Sequence, residues 1–386
     1  MTHLARAVAI GGVGYSPITR GGGVDPRAIA LTACRAALDD AGAGARDIDA
    51  IFEYRIDAES PDCHYVQRAL GVPDLAAYAD VMASGPSGLA SVLSAITAVA
   101  SGACECALVF RCFTELAGRM GRVQETASQV GGRDQFLAPY GISRAFVAHN
   151  IAMKMRRRIH ELGGSPDDFG VVAVNARRWS QDNPRAALRQ PLTLADYRAG
   201  KVIADPLRIY DCDYPVNGAC AVIVTTTERA RSLRRQPIHV DAIAYGTGGD
   251  DDWLFADRFL SGGMQACADR LWGRSSFRPA DVQVGGIYDG FTYSLVAWIE
   301  ALGICAPGEF HDWVDGGRRI GPGGSFPINT AGGHLAEGRL HGVNLLAEVV
   351  LQLRGECGVR QVPDARVGVV TSGLGPQCGA LVLHGA

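Results

Sequence analysis

The order of helices and strands predicted for the first half of the chain returns in the second half. Residues 45–52 and residues 279–286 each contain the end of a helix, an aspartate and then a strand. A repeat that covers roughly half of a 386-residue chain is too long for a solenoid, so it predicts an internally duplicated domain. Strands alternate with helices in both halves, which indicates parallel strand pairing and an α/β fold.

An inserted region separates the two predicted halves. We expect the first half to span residues 1–136 and the second half to span residues 233–386. Residues 137–232 hold the insertion together with the last strand of the first half. Within the insertion, Ser165 followed by Pro166 and two aspartates predicts the start of a helix, because serine caps a helix N-terminus and acids favour its first turn.

Composition excludes several classes of protein. The chain has a net charge of −3 with 20% charged residues, and this balance argues against a general nucleic-acid or membrane-surface function. No stretch approaches about 20 uninterrupted apolar residues, and the N-terminus lacks a basic-then-apolar signal pattern. We therefore expect a soluble protein of the cytoplasm.

The cysteines and lysines argue against two kinds of site, a metal site and a Schiff-base lysine. The eleven cysteines do not show the spacing of a zinc site, so we interpret them as reduced, small hydrophobic residues and expect no metal. The two lysines are Lys154, on a polar helical segment, and Lys201, in a predicted loop. Neither sequence environment is that of a buried amine, which argues against a Schiff-base mechanism.

Two short motifs only partly match known signatures. Gly12 and Gly14 follow the first apolar run, but Pro17 replaces the third glycine of a dinucleotide-binding loop, so we predict a tight turn there. The segment from Gly85 to Gly88 contains a serine, yet it does not keep the residue order of the G-x-S-x-G elbow of hydrolases. Neither motif supports its usual function.

Two segments of the second half carry the chemical signal. The segment from Ile287 to Thr292 is a predicted strand that ends in polar residues, where parallel sheets place their sites. The segment from Pro327 to Gly342 is a glycine-rich loop that leads into a helix predicted from Gly338. Backbone amides in such a loop can approach an oxyanion, and the helix dipole adds to that attraction. Core packing and ordinary turns would explain the same residues without a function.

These motifs together resemble the thiolase superfamily. They are Tyr288-Asp289-Gly290-Phe291-Thr292, Asn329-Thr330-Ala331-Gly332-Gly333 with Gly338 and His341-Gly342 behind it, and Thr371-Ser372-Gly373. The branch that looks most similar is that of the lipid-transfer-protein thiolases, which includes steroid side-chain retro-aldolases. The resemblance extends over nearly the whole chain. It implies a five-layered αβαβα fold built from two duplicated βαβαβ halves with an inserted loop domain.

Three departures from the thiolase pattern decide which chemistry to expect. Gly85 stands where a thiolase carries its nucleophilic cysteine, and Thr371 stands near the position of the second cysteine. Arg339 replaces the histidine of the thiolases and the tyrosine of the retro-aldolases. Without a thiolate no acyl-enzyme forms by the usual route, so we do not expect thiolysis.

The resemblance implies an acyl-CoA enzyme that cleaves a carbon–carbon bond without a covalent cysteine intermediate. We expect retro-aldol cleavage of a β-hydroxyacyl-CoA that carries a sterol side chain or another bulky acyl group, in steroid degradation or other lipid metabolism. No cofactor is expected, since coenzyme A is part of the substrate. The predicted catalytic residues are Tyr288, Asp289, His341 and Arg339, and the predicted substrate- or oxyanion-binding residues are Asn329, Gly332, Gly333 and His334.

Each predicted catalytic residue has an expected task. Tyr288, oriented by Asp289, moves the proton of the substrate hydroxyl, and His341 is a second proton carrier. Arg339 stabilises an anion, because an arginine does not release its proton at neutral pH. The amides of the glycine-rich loop, together with Asn329, hold the thioester enolate.

Two other functions stay open at the level of sequence. One is a non-catalytic, acyl-CoA-binding subunit that works with a small OB-fold/zinc-ribbon partner, and the other is a cysteine-independent acyltransferase. Cys112 is the first thiol to test if acyl transfer is pursued. The resemblance also implies a homodimer, and a heterotetramer where the OB-fold partner joins it. Aromatic residues of the insertion, namely Trp179, Tyr197 and Tyr210, are interpreted as core rather than as an acyl pocket.

Overall fold

The computed structural model describes residues 7–55, 60–82, 88–114, 147–248, 262–373, 375 and 377–385. The strands in these ranges are β1 (Val8–Tyr15), β2 (Ala50–Tyr54), β3 (Ala77–Val81), β4 (Cys106–Phe113), β5 (Val202–Ala204), β6 (Leu207–Arg208), β7 (Gly218–Thr226), β8 (Ile238–Thr247), β9 (Val284–Gly286), β10 (Val367–Ser372) and β11 (Gln377–His384). The α-helices are α1 (Pro26–Ala41), α2 (Cys63–Leu70), α3 (Gly88–Ser101), α4 (Val147–Leu162), α5 (Pro166–Ser180), α6 (Leu194–Ala199), α7 (Thr227–Ala230), α8 (Gly262–Arg274), α9 (Thr292–Ala301), α10 (Phe310–Trp313), α11 (Gly333–Ala336) and α12 (Val343–Arg354). Within this described part of the chain, every helix is too short or too polar to cross a bilayer.

Nine of these strands form one mixed sheet in the order β3-β2-β4-β7-β1-β8-β11-β10-β9. Parallel pairing, as predicted, joins β2 to β3 and β4, and β9 to β10. The prediction of parallel pairing is wrong for β1, β7, β8 and β11, which run antiparallel to their neighbours. Two antiparallel strands can be joined by a short turn at one end of the sheet, whereas parallel strands need a crossover connection, which is usually a helix.

The duplication is visible in strand order and in individual hydrogen bonds. The order β2-β4-β7-β1 in the first half matches β9-β10-β11-β8 in the second half, with the same pair directions. Asp49 accepts two backbone N–H groups where β4 begins, at 2.8 Å each. Gln283 accepts the two equivalent N–H groups where β10 begins, at 2.8 and 2.9 Å. The predicted duplication is therefore confirmed.

Helices complete the five layers. Helices α3 and α12 lie between the two halves of the sheet, and each contacts strands of both halves. On the outer faces, α1 packs on β1, β4 and β7, while α8 packs on β8 and β11. The predicted αβαβα architecture is confirmed, and it brings the carboxyl ends of β2 and β9 to the central helical layer.

The first pair of glycines has a packing function rather than the predicted turn. Gly12 and Gly14 lie inside β1, where α1 crosses very close to the strand. A Cβ at Gly14 would lie 2.2 Å from the backbone nitrogen of Ala37 in that helix. The prediction of a tight turn is wrong, because the glycines serve the close approach of helix and strand.

The helix starts were predicted with mixed success. Ser165 caps α5 and Asp168 completes a capping box, as the sequence indicated. The helix predicted from Gly338 begins only at Val343, because the residues before it have left-handed backbone angles, with φ of 139° at Gly338 and 53° at His341.

The insertion is represented by helices α4 to α6 and the small β5–β6 hairpin. The predicted boundary after residue 136 lies outside the described residues, so the division into segments stays a prediction. Lys154 of α4 is buried, at 2% exposure, and burial lowers its pKa to about 7. The expectation that Lys154 is not a buried amine is therefore wrong, since α4 turns this position inward.

Candidate active site

Tyr288 and Asp289 lie just beyond β9, at the carboxyl end where parallel strands place catalytic groups. The backbone N–H of Tyr288 donates a hydrogen bond to Thr371 Oγ1 at 3.0 Å, which ties this residue to the neighbouring strand β10. Both side chains are buried. A Cβ at position 290 would lie 3.0 Å from the Tyr288 hydroxyl oxygen, so Gly290 leaves room for the phenol.

Asp289 and His334 form a buried pair beneath the Tyr288 ring. Asp289 Oδ1 lies 2.8 Å from His334 Nδ1 and accepts the backbone N–H of His334 at 2.9 Å. His334 Nε2 accepts the backbone N–H of Gly342 at 3.0 Å, which places the imidazole proton on Nδ1. The centroids of the His334 and Tyr288 rings are 5.0 Å apart. His334 therefore contacts both the Asp289 carboxylate and the Tyr288 ring.

The glycine-rich loop wraps around the Asp289 carboxylate. Gly333 has a φ of 59°, and a Cβ there would lie 2.0 Å from Asp289 Oδ2. Asn329 turns its side-chain amide onto Ile287, accepting the backbone N–H and donating to the carbonyl at 2.8 Å each. The N–H of Gly332 donates to the carbonyl of Asn329 at 2.7 Å. Among the predicted oxyanion donors, Gly333 occupies the first position of α11. A backbone N–H at that position has no carbonyl partner within its own helix, so it can donate to a ligand.

His341 is held by a buried arginine of the first half. Arg111 Nε and Nη2 lie 3.0 and 2.9 Å from His341 Nδ1, and Arg111 Nη1 donates to the carbonyl of Tyr54 at 3.1 Å. Nδ1 therefore accepts hydrogen bonds, and the imidazole proton is on Nε2. Burial, followed by the charges of Arg111 and Arg339, lowers the pKa of His341 well below the usual 6.5. At neutral pH His341 is an uncharged hydrogen-bond donor.

Arg339 adds a fixed positive charge to the site. Its Nη1 lies 3.5 Å from Asp213 Oδ2, and its guanidinium carbon lies 4.5 Å from the centre of the Phe113 ring. Burial raises the pKa of Asp213, and Arg339 opposes that effect. Arg339 Nε is buried and has no hydrogen-bond partner among the described residues. An unpartnered N–H on a permanently charged group favours an anionic ligand.

Comparisons with known proteins agree with this geometry. Residues 255–383 match the protein family described as "Thiolase C-terminal domain-like". The chain is 35% identical to the 17-hydroxy-3-oxo-4-pregnene-20-carboxyl-CoA lyase of Mycobacterium tuberculosis, over 98% of this chain and 100% of the relative. It is 34% identical to the steroid side-chain-cleaving aldolase of Thermomonospora curvata, over 99% of both chains. A solved structure of the Ltp2-ChsH2(DUF35) aldolase superposes with a TM-score of 0.88 at 31% identity, over 99% of this chain and 98% of that chain.

The chain belongs to the thiolase superfamily. Within it, the chain lies in the branch of the steroid side-chain-cleaving aldolases. The predicted resemblance and the predicted enzyme class, a carbon–carbon lyase of thiolase fold, are confirmed. The human mitochondrial 3-ketoacyl-CoA thiolase, with a TM-score of 0.69 at 15% identity, shares the fold.

The thiols of this aldolase lie in environments that do not activate them. The eleven cysteines all lie in the described part of the chain and form no disulfide there, and all except Cys212 are buried. Burial raises the pKa of the Cys212 thiol, and the neighbouring carboxylates of Asp213 and Asp211 raise it further. Cys112 lies on the outer face of β4, where its Sγ is 3.4 Å from the carbonyl of Pro26 in α1. Cys112 therefore faces away from the site, and Gly85 lies outside the described residues.

The structure adds site residues that sequence reasoning missed. Arg111 and Asp213 each contact a predicted catalytic residue, at positions 230 and 126 residues away along the chain. Tyr54 is buried, and its ring meets the ring of His341 edge-on at 5.5 Å. Arg111 and Phe113 are two residues apart in β4, and the alternation of a strand places both side chains on its inner face. That alternation was the one sequence signal that could have found Arg111.

Proposed function

We propose that this aldolase cleaves the bond between Cα and Cβ of a β-hydroxyacyl-CoA. The observation that carries the proposal is Arg339 Nε, a buried and unpartnered donor among the described residues, in the same site as Tyr288 and the Asp289–His334 pair. Such a site offers one hydroxyl group for proton transfer and one fixed cation for the negative charge of an enolate. Both are what a retro-aldol cleavage needs.

Tyr288 handles the proton in this scheme. In its deprotonated form the Tyr288 oxygen takes the proton of the β-hydroxyl, and the Cα–Cβ bond then breaks to give a carbonyl compound. The bonding electrons move onto the thioester as an enolate. The proton held on Tyr288 returns to Cα, which completes an acyl-CoA product and restores the starting state. The neutral His334 ring, 5.0 Å away between centroids, keeps the phenol in place.

Two positively polarised groups bind the enolate oxygen. Arg339 supplies Nε, and His341 supplies its Nε2–H, because Arg111 occupies the other ring nitrogen. The predicted amide of Gly333 is a third donor, while Asn329 holds Ile287 in place. Each donor of this kind is worth about 10²–10³-fold in rate. The chemistry is complete with these side chains and the substrate, so we propose that the enzyme uses no further cofactor or metal.

The substrate class follows from the relatives. The Mycobacterium tuberculosis relative is named for a steroid carboxyl-CoA, and the Thermomonospora curvata relative for a steroid side chain. We infer a sterol-derived or similarly bulky acyl-CoA for this enzyme, as a step of lipid breakdown in the cytoplasm.

Two kinds of partner complete the proposal. Strand β3 ends the sheet, and its Tyr78 is 56% exposed, so a second copy of the chain can pair along this edge as a homodimer. A Tyr78→Asp variant should then elute as a monomer in size-exclusion chromatography with light scattering. The Ltp2 relative is an aldolase solved together with ChsH2(DUF35). We propose a corresponding OB-fold/zinc-ribbon partner here, forming a heterotetramer that co-expression and affinity capture would reveal.

The decisive experiment replaces one hydroxyl group. Tyr288→Phe should lower kcat for a β-hydroxyacyl-CoA by about 10²–10⁴-fold, measured by release of the carbonyl product with the partner present. Tyr293→Phe is the matched control, because Tyr293 is equally buried but lies in α9 against Phe169. Near-full activity of Tyr288→Phe would refute the assignment. Tight acyl-CoA binding without turnover by the unaltered enzyme and partner would indicate a non-catalytic subunit.

A further inference from the structure

Two carboxylates and a thiol converge at the edge of the large sheet in the first half of the fold. Glu53 belongs to β2, Asp80 belongs to the edge strand β3, and Cys63 is the first residue of α2. Glu53 and Asp80 occupy paired positions of the parallel ladder, so their side chains lie on the same face of the sheet. One ligand atom from each of the three residues lies within 4.8 Å of the other two.

This cluster is separate from the catalytic residues. Tyr54, the next residue of β2, turns its ring to His341 at 5.5 Å between centroids. Successive side chains of a strand point to opposite faces, so Glu53 points to the outer face of the sheet. Cys63 packs there with Ile51 in the outer apolar cluster. A group bound by these side chains therefore lies outside the chemistry of the cleavage.

The carboxyl group of Glu53 is buried without compensation. The residue is 0% exposed, and neither of its carboxylate oxygens has a hydrogen-bond partner among the described residues. The Ser60 hydroxyl opposes the effect of burial on the Glu53 pKa, but its geometry is not that of a hydrogen bond. A charged carboxylate is costly to bury unless a cation or several donors compensate it. Without a cation, burial raises the pKa of Glu53 to about 8, so the group holds a proton.

Asp80 brings a second acid into the same space. Its Oδ1 accepts the backbone N–H of Cys63 at 3.1 Å, which fixes this carboxylate beside the thiol. Its Oδ2 lies 4.0 Å from Arg55 Nη1, at the limit of an ion pair. Like charges at paired positions of neighbouring strands repel each other, so a cation between Glu53 and Asp80 would remove an unfavourable contact.

We propose that Glu53, Cys63 and Asp80 bind one Zn²⁺ ion, which fastens α2 and β3 to β2. Thiolate and carboxylate groups are zinc ligands, whereas Mg²⁺ and Ca²⁺ select sites made of oxygen alone. Binding displaces the protons of the Cys63 thiol and the Glu53 carboxyl group. The Asp80 side chain is 35% exposed, so water can reach the fourth position of the tetrahedron. The ligands come from three separate elements, and for that reason the cysteine spacing does not indicate the site.

The test measures metal binding by the full chain, prepared without an affinity tag, treated with a chelator and kept reduced. The unaltered protein should retain about one Zn²⁺ per chain after gel filtration. With Co²⁺ it should show the near-ultraviolet absorption band of a cobalt–thiolate bond. Cys63→Ser should abolish that band and raise the Kd for Zn²⁺ by at least about 100-fold, as should Glu53→Gln for the Kd, because even residues behind the ligands contribute about 10–100-fold. The matched control is Cys106→Ser, since Cys106 is a buried thiol of the same apolar cluster.

Thermal unfolding provides an independent measurement. Zn²⁺ should raise the Tm of the unaltered protein and of Cys106→Ser, but not that of Cys63→Ser. Asp80→Asn changes a partly exposed side chain, so it keeps the test valid if Cys63→Ser does not fold, and it should weaken Zn²⁺ binding at least about tenfold. The inference is overturned if the unaltered protein takes up neither metal, if its Co²⁺ complex lacks the thiolate band, or if Asp80→Asn binds Zn²⁺ with unchanged affinity.

Discussion

Gly333 is the position where one methyl group should disable the site. Its φ of 59° costs an alanine about 1–2 kcal/mol. A Cβ there would also lie 2.0 Å from Asp289 Oδ2, so the carboxylate must move away. That movement breaks the two hydrogen bonds that His334 donates to Asp289 Oδ1, each of which is worth about 1.5–3 kcal/mol because the acceptor is a carboxylate.

Gly333→Ala should therefore lower the free energy of unfolding by about 4–8 kcal/mol and reduce kcat by about 10²-fold or more. Urea denaturation and release of the carbonyl product measure the two effects. Gly355→Ala is the matched control, because Gly355 has a φ of 77° and a Cβ there would meet nothing within 4 Å. Gly355→Ala should lower the free energy of unfolding only by the cost of the left-handed backbone, about 1–2 kcal/mol, and should leave kcat unchanged. If Gly333→Ala behaves like this control, the Asp289–Gly333 contact does not hold the site together.

Three further changes test the charges of the fold. Arg111→Met should raise the pKa of His341 toward 6.5, which an NMR titration would show. It should also lower kcat at least about tenfold with little change in KM. An unchanged titration of His341 would contradict the contact between the two residues. Burial raises the pKa of Glu53 to about 8, so stability should fall as pH rises from about 4.5 to 8, and Glu53→Gln should remove that slope in urea denaturation. Burial lowers the pKa of Lys154 to about 7, so the stability should instead fall as pH drops from about 10.5 to 7. Lys154→Met should remove this pH dependence of stability. A pH dependence that survives either substitution would refute the assignment of that residue.

Helices and strands whose ends depend on nearby residues were predicted correctly from the sequence. Features that depend on contacts between distant segments of the chain were not. The start of α5 follows from Ser165 and its own next three residues, so the sequence contains the whole cause. The start of α12 does not, since a Cβ at Gly338 would lie 2.7 Å from Val216 Cγ2 and the His341 carbonyl accepts the N–H of Gly88. Both neighbours are distant along the chain, and the backbone there has left-handed angles where a helix was expected. Lys154 was misplaced for the same reason, because its burial comes from segments packed against α4.

The duplication also explains how two chemically alike groups come to act differently. The fifth residue from the start of β2 is Tyr54, and the fifth from the start of β9 is Tyr288. Each tyrosine packs on a histidine, Tyr54 on His341 at 5.5 Å and Tyr288 on His334 at 5.0 Å.

What differs between the two pairs is the charged neighbour of the imidazole. Asp289 draws the proton of His334 to Nδ1, whereas Arg111 leaves the proton of His341 on Nε2. An acid–base reaction needs unlike environments around similar groups. The two halves of the fold provide one tyrosine each, and both histidines come from the glycine-rich loop of the second half. The charged neighbours, one carboxylate and one guanidinium, then make the two tyrosine–histidine pairs chemically different.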